Sequence, residues 1–563
     1  MCEAVSSSLT ILDYKPQMGL EFDSLDAAKD FYNEFGRITG FSLRIEYTNT
    51  CKKTGRIISR RFVCSKEGFR REDKRDDKTK NSRQETRTGC KARMSVSFNK
   101  NRQNYVVIDF VEDHNHPLHI PQCVHLLPSQ RKIAKAQAIE ADLAEASGIR
   151  WRSTFELASR QAGGRECLGF TRQDLKNYLR TKCQKELKFG EAGSLLAYFA
   201  DKSMKDSSFH FTMQLDVGEQ ITNIFWADPK MIIDYSLFGD FMSFDTTYRT
   251  HKDYWPLAVF VGFNNYRKTV IFGAALLYDE TIASFEWLFK SFLDAMPGKQ
   301  PKTIFTDQDP AMAKAISTVL PDTFHRICTW HMRQNAIKHL GSKYRGDDGG
   351  IGAELTKFIY NYKDEESFSS VWEDILDKFD VCDSSWLPTI YRVREKWGKP
   401  YVMEVWSAWA DTTQVSESFN GKLRTFLQLD LGILYFFKHF ERIIDDITHI
   451  EFDCEYASRQ KLPKIGLPVP LLINAGDFYT NPIFEIFKEQ FLKSLSAFAW
   501  KRDENNLSHD YMVKVLDEPK VREVKVNLQG PMVSCTCQLF ESCGILCAHA
   551  LKGLDMMNIK DIP

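Results

Sequence analysis

Three groups of residues in this chain have the types and spacing for metal chemistry. Near the C-terminus, MVSCTCQLFESCGILCAHAL places Cys535, one residue, Cys537, nine residues, Cys547, one residue and His549. Two close pairs of this kind can converge on one tetrahedron, and three thiolates with one imidazole suit zinc. Cys543, a fifth thiol, could compete as a ligand, but its spacing fits neither pair. Near the N-terminus, Cys64 in RRFVCS, Cys90 in TGCKARM, and His114 with His116 in DHNHPL make a second set of two thiols and two imidazoles. Such a set completes a zinc tetrahedron and supplies folding energy to a small sheet. Cys51 is a spare thiol that ranks behind Cys64 because it precedes the strand.

The third group is acidic. Asp245 ends the apolar run FMSFD, and Asp307 ends KTIFTD, 62 residues later. Carboxylates on rigid strand ends can hold two magnesium ions about 4 Å apart, which activate a water or a DNA 3′ hydroxyl. As a third acid, Glu417 in TTQVSESFNGKL precedes an amphipathic stretch. Local pattern alone also leaves Asp245 as the first residue of a turn. Cys328 and His331 lie three apart on one helical turn, and two ligands do not complete a zinc site, so they read as a packed structural pair.

The elements that must position these groups follow from periodicity. RRFVC, ARMSVSF and NYVVIDFVED read as strands, with a hairpin at NKNRQN, so the first ligand set lies at strand ends. Residues 117–190 read as short helices, with a Thr171 to Asp174 capping box. They suit a spacer better than an extra DNA-binding unit. From residue 209 the pattern is a hairpin (FHFTMQLD, ITNIFWAD) followed by DFMSFDTTY, PLAVFVGFN and TVIFGAALLY. A helix (SFEWLFKSFLDAM), a strand (KTIFTDQD), a helix, the strand TFHRIC and the helix TWHMRQNAIKHL follow. Three strands, helix, strand, helix, strand is the order of a ribonuclease H-like core, with Asp245 on its first strand and Asp307 just after its fourth. Phe285, Leu288, Phe289, Phe292 and Met296 fall at helical spacing and are core. Residues 430–500, through LKSLSAFAW, read as aromatic-rich buried helices, and DYMVKVL and REVKVNL as strands leading into the last cysteine array.

Composition bounds the rest. The chain has 563 residues, 43% hydrophobic and 27% charged, which suits three or four globular domains. No apolar run reaches membrane-spanning length and the N-terminus lacks a secretory signal pattern, so an intracellular protein without membrane partners is expected. Of the 14 cysteines, some scattered and some clustered, the clusters then read as metal ligands rather than disulfides. The formal charge is zero, yet residues 51–103 hold 18 Lys and Arg against 6 Asp and Glu. This local excess of +12 beside a zinc-stapled sheet is a footprint for nucleic acid phosphates. Arg60, Arg61, Lys66, Arg70, Arg87, Lys91 and Arg93 are the candidate DNA contacts, and a sheet edge the candidate reader of a major groove.

These segments together carry a resemblance. EFDSLDAAKDFYNEFGRITGFSLR, RRFVCSKEGFR, TGCKARM, DHNHPL, LGFTRQDLKNYLR, SFDTTYRT, TIFTDQDPAMAKAI, HRICTWHMRQNA and SCTCQLFESCGILCAHAL resemble the plant far-red impaired response and far-red elongated hypocotyl proteins, related-sequence members included. The resemblance covers nearly the whole chain. It implies a domesticated Mutator-like transposase of multidomain α/β class: a small zinc-stapled β-rich DNA-binding domain of the WRKY and GCM type, a ribonuclease H-like transposase core with an α-helical insertion, and a C-terminal SWIM zinc finger. The expected boundaries are a flexible 1–20, the DNA-binding domain 21–120, a helical linker 121–190, the transposase domain 191–460, a connector 461–520 and the SWIM finger 521–557. Carried over by position, the resemblance implies zinc on Cys64, Cys90, His114 and His116 and on Cys535, Cys537, Cys547 and His549. It implies a transposase triad of Asp245, Asp307 and Glu417, with Glu417 inside SES-x-N. Relatives run on beyond DIP, where this chain stops, so a form shortened by truncation or splicing is expected.

The function expected is a nuclear, sequence-specific transcription regulator that binds double-stranded DNA, in far-red and phytochrome A control of plant development. Two zinc sites, dimers with itself or family members, and other transcription regulators as partners go with it. The triad is expected to be vestigial, with magnesium bound only if it is active. The alternatives are an active metal-dependent DNA transposase and a zinc-dependent adaptor that does not itself bind DNA.

Overall fold

The computed structural model describes residues 14–69, 85–247, 255–296, 298–345, 350–381, 384–408, 410, 419, 421, 423, 427, 432–504, 508–516, 518, 520–527 and 532–562. Glu417 and Arg70 lie outside them. The chain divides into two compact units, residues 1–188 and 189–563.

In the first unit, β1 (Glu21–Phe22), α1 (Leu25–Thr39), β2 (Leu43–Thr50), β3 (Ile57–Cys64), β4 (Arg93–Asn99) and β5 (Asn104–Val111) build an antiparallel sheet in the order β1-β5-β4-β3-β2. Ser24 caps α1 by accepting from the Ala27 amide, and left-handed Gly40 ends it. Helix α1 buries Ala28, Tyr32 and Phe35 against Phe62, Met94, Val96 and Val107 on one face of the sheet. Successive side chains alternate faces. Arg61, Ser95 and Asp109, aligned across β3, β4 and β5, therefore occupy the other face. Three helices follow, α2 (Lys135–Ala146), α3 (Trp151–Gln161) and α4 (Arg172–Glu186). Thr171 and Asp174 form the expected capping box at α4.

The second unit opens with α5 (Gly190–Lys205), β6 (His210–Leu215), β7 (Ile221–Ala227) and α6 (Pro229–Phe238). It continues with β8 (Phe241–Thr247), β9 (Leu257–Phe263), β10 (Thr269–Leu276), α7 (Ile282–Ala295), β11 (Thr303–Thr306), α8 (Pro310–Val319), β12 (Phe324–Ile327) and α9 (Thr329–Leu340). The sheet order is β12-β11-β8-β9-β10-β7-β6. Strands β8, β9 and β10 pair antiparallel, while β11 runs parallel to both β8 and β12. This is the expected ribonuclease H-like arrangement, with β7 and β6 added at one edge. Phe225 and Trp226, neighbours on β7, point to opposite faces: Phe225 meets Phe260 and Phe292, and Trp226 meets Phe437 at 4.7 Å between ring centroids.

A helical insertion follows, α10 (Gly350–Asn361), α11 (Glu365–Lys378) and α12 (Trp386–Arg392), with its own core of Phe358, Phe368, Trp372 and Trp397. Then come α13 (Ile433–Gln460), α14 (Pro470–Phe478), α15 (Asn481–Leu495), β13 (Ala497–Glu504), β14 (Ser508–Val515), β15 (Arg522–Asn527), β16 (Val533–Cys535), α16 (Leu539–Cys543) and α17 (Ala548–Met556). One expectation fails here. The AFAW segment is not buried helix: Ala497–Glu504 is an outer strand, and Phe498 and Trp500 are 63% and 48% exposed. Its helical reading came from aromatic richness, whereas an alternation of small and large residues, Ala-Phe-Ala-Trp, is a strand pattern with the alanines inward.

Candidate metal centres and nucleic-acid face

The N-terminal ligand set converges. Cys64 ends β3, Cys90 lies three residues before β4, and His114 and His116 follow β5. Cys64 Sγ is 3.3 Å from His116 Nε2, Cys90 Sγ is 3.4 Å from His114 Nδ1, and the two imidazole nitrogens are 3.2 Å apart. Ligands on bonds of 2.0–2.3 Å at tetrahedral angles stand about 3.3–3.8 Å from one another, so these four atoms fit zinc. Both cysteines are buried, and burial pushes the Cys64 thiol up to about 11. Burial, with His116 beside it, lowers His114 to about 4, so its ring stays neutral with a lone pair to give. Outside the four ligands, Asn115 donates to the Thr88 carbonyl at 2.7 Å and accepts from the Thr88 hydroxyl at 2.8 Å. That clamp ties the Cys90 loop to the histidine loop. His116 Nδ1 lies 3.0 Å from the Pro117 carbonyl, which orients the ring with Nε2 toward the cluster. Cys51 takes no part in the cluster.

The C-terminal set converges as well: the ligand atoms of Cys535, Cys537, Cys547 and His549 all lie within 4.8 Å of one another. Cys535 closes β16, Cys537 follows in its turn, and Cys547 caps α17, its sulfur accepting from the Ala550 amide at 3.3 Å. His549 is 2% exposed, and neither of its ring nitrogens has a hydrogen-bond partner. A buried imidazole nitrogen left without a partner fits a metal ligand. The Glu518 carboxylate stands 3.4 Å from Nε2. Cys543, on α16, stays outside the cluster.

At the ribonuclease H-like core, Asp245 on β8 and Asp307, one residue past β11, sit on adjacent parallel strands. Burial, with Asp245 adding its charge, raises Asp307 to about 6. The Asp309 amide donates to Asp307 at 3.1 Å and opposes that rise. His331 completes the described part of the site, its Nε2 4.0 Å from Asp245 Oδ2. Cys328 and His331 keep a structural contact, as expected, and the His331 ring adds one to Asp245. Cys328 caps α9 by accepting from the His331 amide at 3.2 Å, while the His331 ring turns to the carboxylate. The missed signal was position, since α9 starts at the carboxyl end of β12, on the sheet edge where parallel strands present functional groups.

The basic residues divide. Arg93 is bound to Asp109 at 2.6 Å, and Arg61 reaches Ser95 at 3.1 Å and Glu46 at 3.5 Å, so both are held on the open sheet face by partners. Arg87 and Lys91 are exposed on either side of Cys90. Arg60 donates to Thr48 at 3.2 Å, and Lys66 is half-buried beside Cys64. Lys52, Lys53 and Arg56, absent from the predicted contacts, are exposed in the turn joining outer strand β2 to β3.

Residues 30–120 match the FAR1 DNA-binding domain, residues 241–335 the MULE transposase domain, and residues 524–552 the SWIM zinc finger. Protein FAR1-RELATED SEQUENCE 5 of Arabidopsis thaliana is 34% identical over 98% of this chain and 70% of its own length. The chain belongs to the FAR1-related family. Two other Arabidopsis members, FAR-RED IMPAIRED RESPONSE 1 and FAR1-RELATED SEQUENCE 7, are each 29% identical over 98% of the chain and 66% of their own length. The chain thus spans about two-thirds of these relatives. Family membership and its three domains make it a transposase-derived DNA-binding regulator with two Cys/His clusters suited to zinc. No helix among the described residues is long and apolar enough to cross a membrane.

Proposed function

We propose that this chain regulates transcription in the nucleus by binding duplex DNA through its N-terminal unit, and that it does so without cutting the DNA. The observation that carries the reading is the stapled sheet. Zinc on Cys64, Cys90, His114 and His116 fastens the ends of β3 and β5 to the loop before β4. Outer strand β2 and the Lys52, Lys53, Arg56 turn stay open to solvent. A cationic hairpin on a rigid sheet can enter a major groove, with Arg60, Lys66, Arg87 and Lys91 adding phosphate contacts. Arg61 and Arg93 must exchange Glu46 and Asp109 for phosphate before they contribute. Arg70 belongs to the same basic segment.

The second zinc, on Cys535, Cys537, Cys547 and His549, organises the SWIM finger. The domain division that accompanies this reading is 21–120, 121–190, 191–460, 461–520 and 521–557. Asp245 and Asp307 would hold a divalent cation, which when bound supplies water activation for strand cleavage. Glu417 is proposed as the third acid by its motif. The reading without cleavage goes with the likeness to FAR-RED IMPAIRED RESPONSE 1, whose name is that of a light response. By the same likeness we assign this chain to far-red light signalling, with dimer formation among family members.

The test is retention of a random-duplex pool by the zinc-loaded chain, followed by incubation of the selected duplex with magnesium or manganese. Selection of a defined sequence without nicking is the expected result. No selection, or nicking abolished by Asp245→Ala, overturns the reading.

A further inference from the structure

We propose that the open face of the C-terminal sheet is a stacking site for single-stranded nucleic acid, built on Phe498 and Trp500. The sheet runs β13-β14-β15-β16, with β13 at its edge. Its inner face carries Ala497, Tyr511, Val513, Val515, Val524 and Val526, packed with α15 and α17 into one core. Alternation therefore turns Phe498 and Trp500 outward. They are 63% and 48% exposed, large values for aromatic rings within a regular strand. Two residues along a strand advance about 6.8 Å, so the rings form a two-step ladder along the edge.

The charge around the ladder selects the occupant. Lys514 lies directly across from Phe498 in the β13–β14 register and is exposed, while Lys525, exposed on the next strand, stands opposite Asp510. Arg502 continues β13 beyond Trp500, where it pairs with Glu523 at 3.0 Å. Two exposed rings with Lys514 beside them offer bases a π-face and a phosphate a counter-charge, the combination that holds single strands without reading their sequence. Duplex DNA keeps its bases stacked on each other and cannot use the rings.

The site is independent of duplex binding by the N-terminal unit, and the two are separable by experiment. Fluorescence anisotropy of labelled oligo(dT) and of a duplex of equal length is measured with the full zinc-loaded chain, its Phe498→Ala and Trp500→Ala variants, and Lys514→Glu. Base–aromatic stacking predicts about a 5- to 100-fold loss of oligo(dT) affinity for each ring removed, with duplex affinity unchanged. Lys514→Glu should lower oligo(dT) affinity and flatten its salt dependence. Phe452→Ala, at an exposed aromatic on α13, should change nothing and reports any general effect of losing a surface ring. Oligo(dT) binding that survives both ring substitutions overturns the proposal. So does a chain whose self-association, measured by sedimentation, is lost in the ring variants while oligo(dT) binding is kept, since the face then serves a second copy.

Discussion

His331 Nε2 stands 4.0 Å from Asp245 Oδ2, although 86 residues separate the two in the chain. The distance is that of two groups sharing a cation or a water rather than of a direct hydrogen bond. A divalent ion at Asp245 and Asp307 is therefore expected to feel the imidazole. Manganese binding, read by electron paramagnetic resonance, should be lost in Asp245→Asn and weakened about 10- to 100-fold in His331→Ala. Equal affinity in all three proteins would show that the cluster holds no metal.

Asp307 makes stability depend on pH in a definite direction. Its folded-state value, raised to about 6, lies above the ordinary carboxylate value of 3.8, so the folded chain holds this proton more tightly than the unfolded one. The contribution is complete below about pH 4 and is lost as pH rises through about 6. Above that, the buried charge costs about 1–3 kcal/mol. Asp307→Asn should therefore protect the amides of β8 and β11 from hydrogen exchange at pH 7.5 and make no difference near pH 4. A destabilising substitution at pH 7.5 would contradict this account.

Zinc removal should unfold the N-terminal sheet while leaving the ribonuclease H-like core intact. Cys90→Ser or a strong chelator is expected to abolish duplex retention and the chemical-shift dispersion of β3 to β5, because the apo site leaves buried thiols with no partner. Released zinc, counted with a chromogenic chelator, should fall by one equivalent in Cys90→Ser and by another in Cys547→Ser.

The division among the arginines gives a graded expectation. Lys53→Ala or Arg56→Ala should weaken duplex binding and lower the salt slope by about 1 for each lost phosphate contact. Arg93→Ala should alter the slope less, since Asp109 already neutralises that guanidinium. An equal slope change at all three sites would place the open sheet face against DNA together with the hairpin edge.

Gly262 is required where β9 crosses the core. A Cβ there would stand 2.3 Å from the Phe272 ring and 3.1 Å from the Phe241 carbonyl. Overpacking of this kind costs about 1–3 kcal/mol, so Gly262→Ala should lower the melting midpoint of the second unit. An unchanged midpoint would mean that β9 and β10 shift freely.

Much of the architecture was legible because it is local. β8 to β12 each announce themselves as apolar runs between turn residues, and their alternation with helices restricts the topology to few choices. The C-terminal set was legible because its pairs, Cys535 with Cys537 and Cys547 with His549, each need only a turn to become co-ligands, and the N-terminal one because its ligands fall at the ends of readable strands. The AFAW strand was misread because its neighbours, the helices at 433–495, are aromatic for a different reason, burial on one helical face.

Sequence by itself determined the ligand types, the succession of strands and helices and the family, since each is written in residue types and their order along the chain. Tertiary structure decided which distant groups meet. It set Asp307 beside Asp245 through the parallel pairing of β11 with β8, and it brought the His331 ring to Asp245. It gave Arg93 to Asp109 and left Phe498 and Trp500 uncovered. Periodicity says that a residue has a face. Only the packing of elements far apart in the chain says what that face meets.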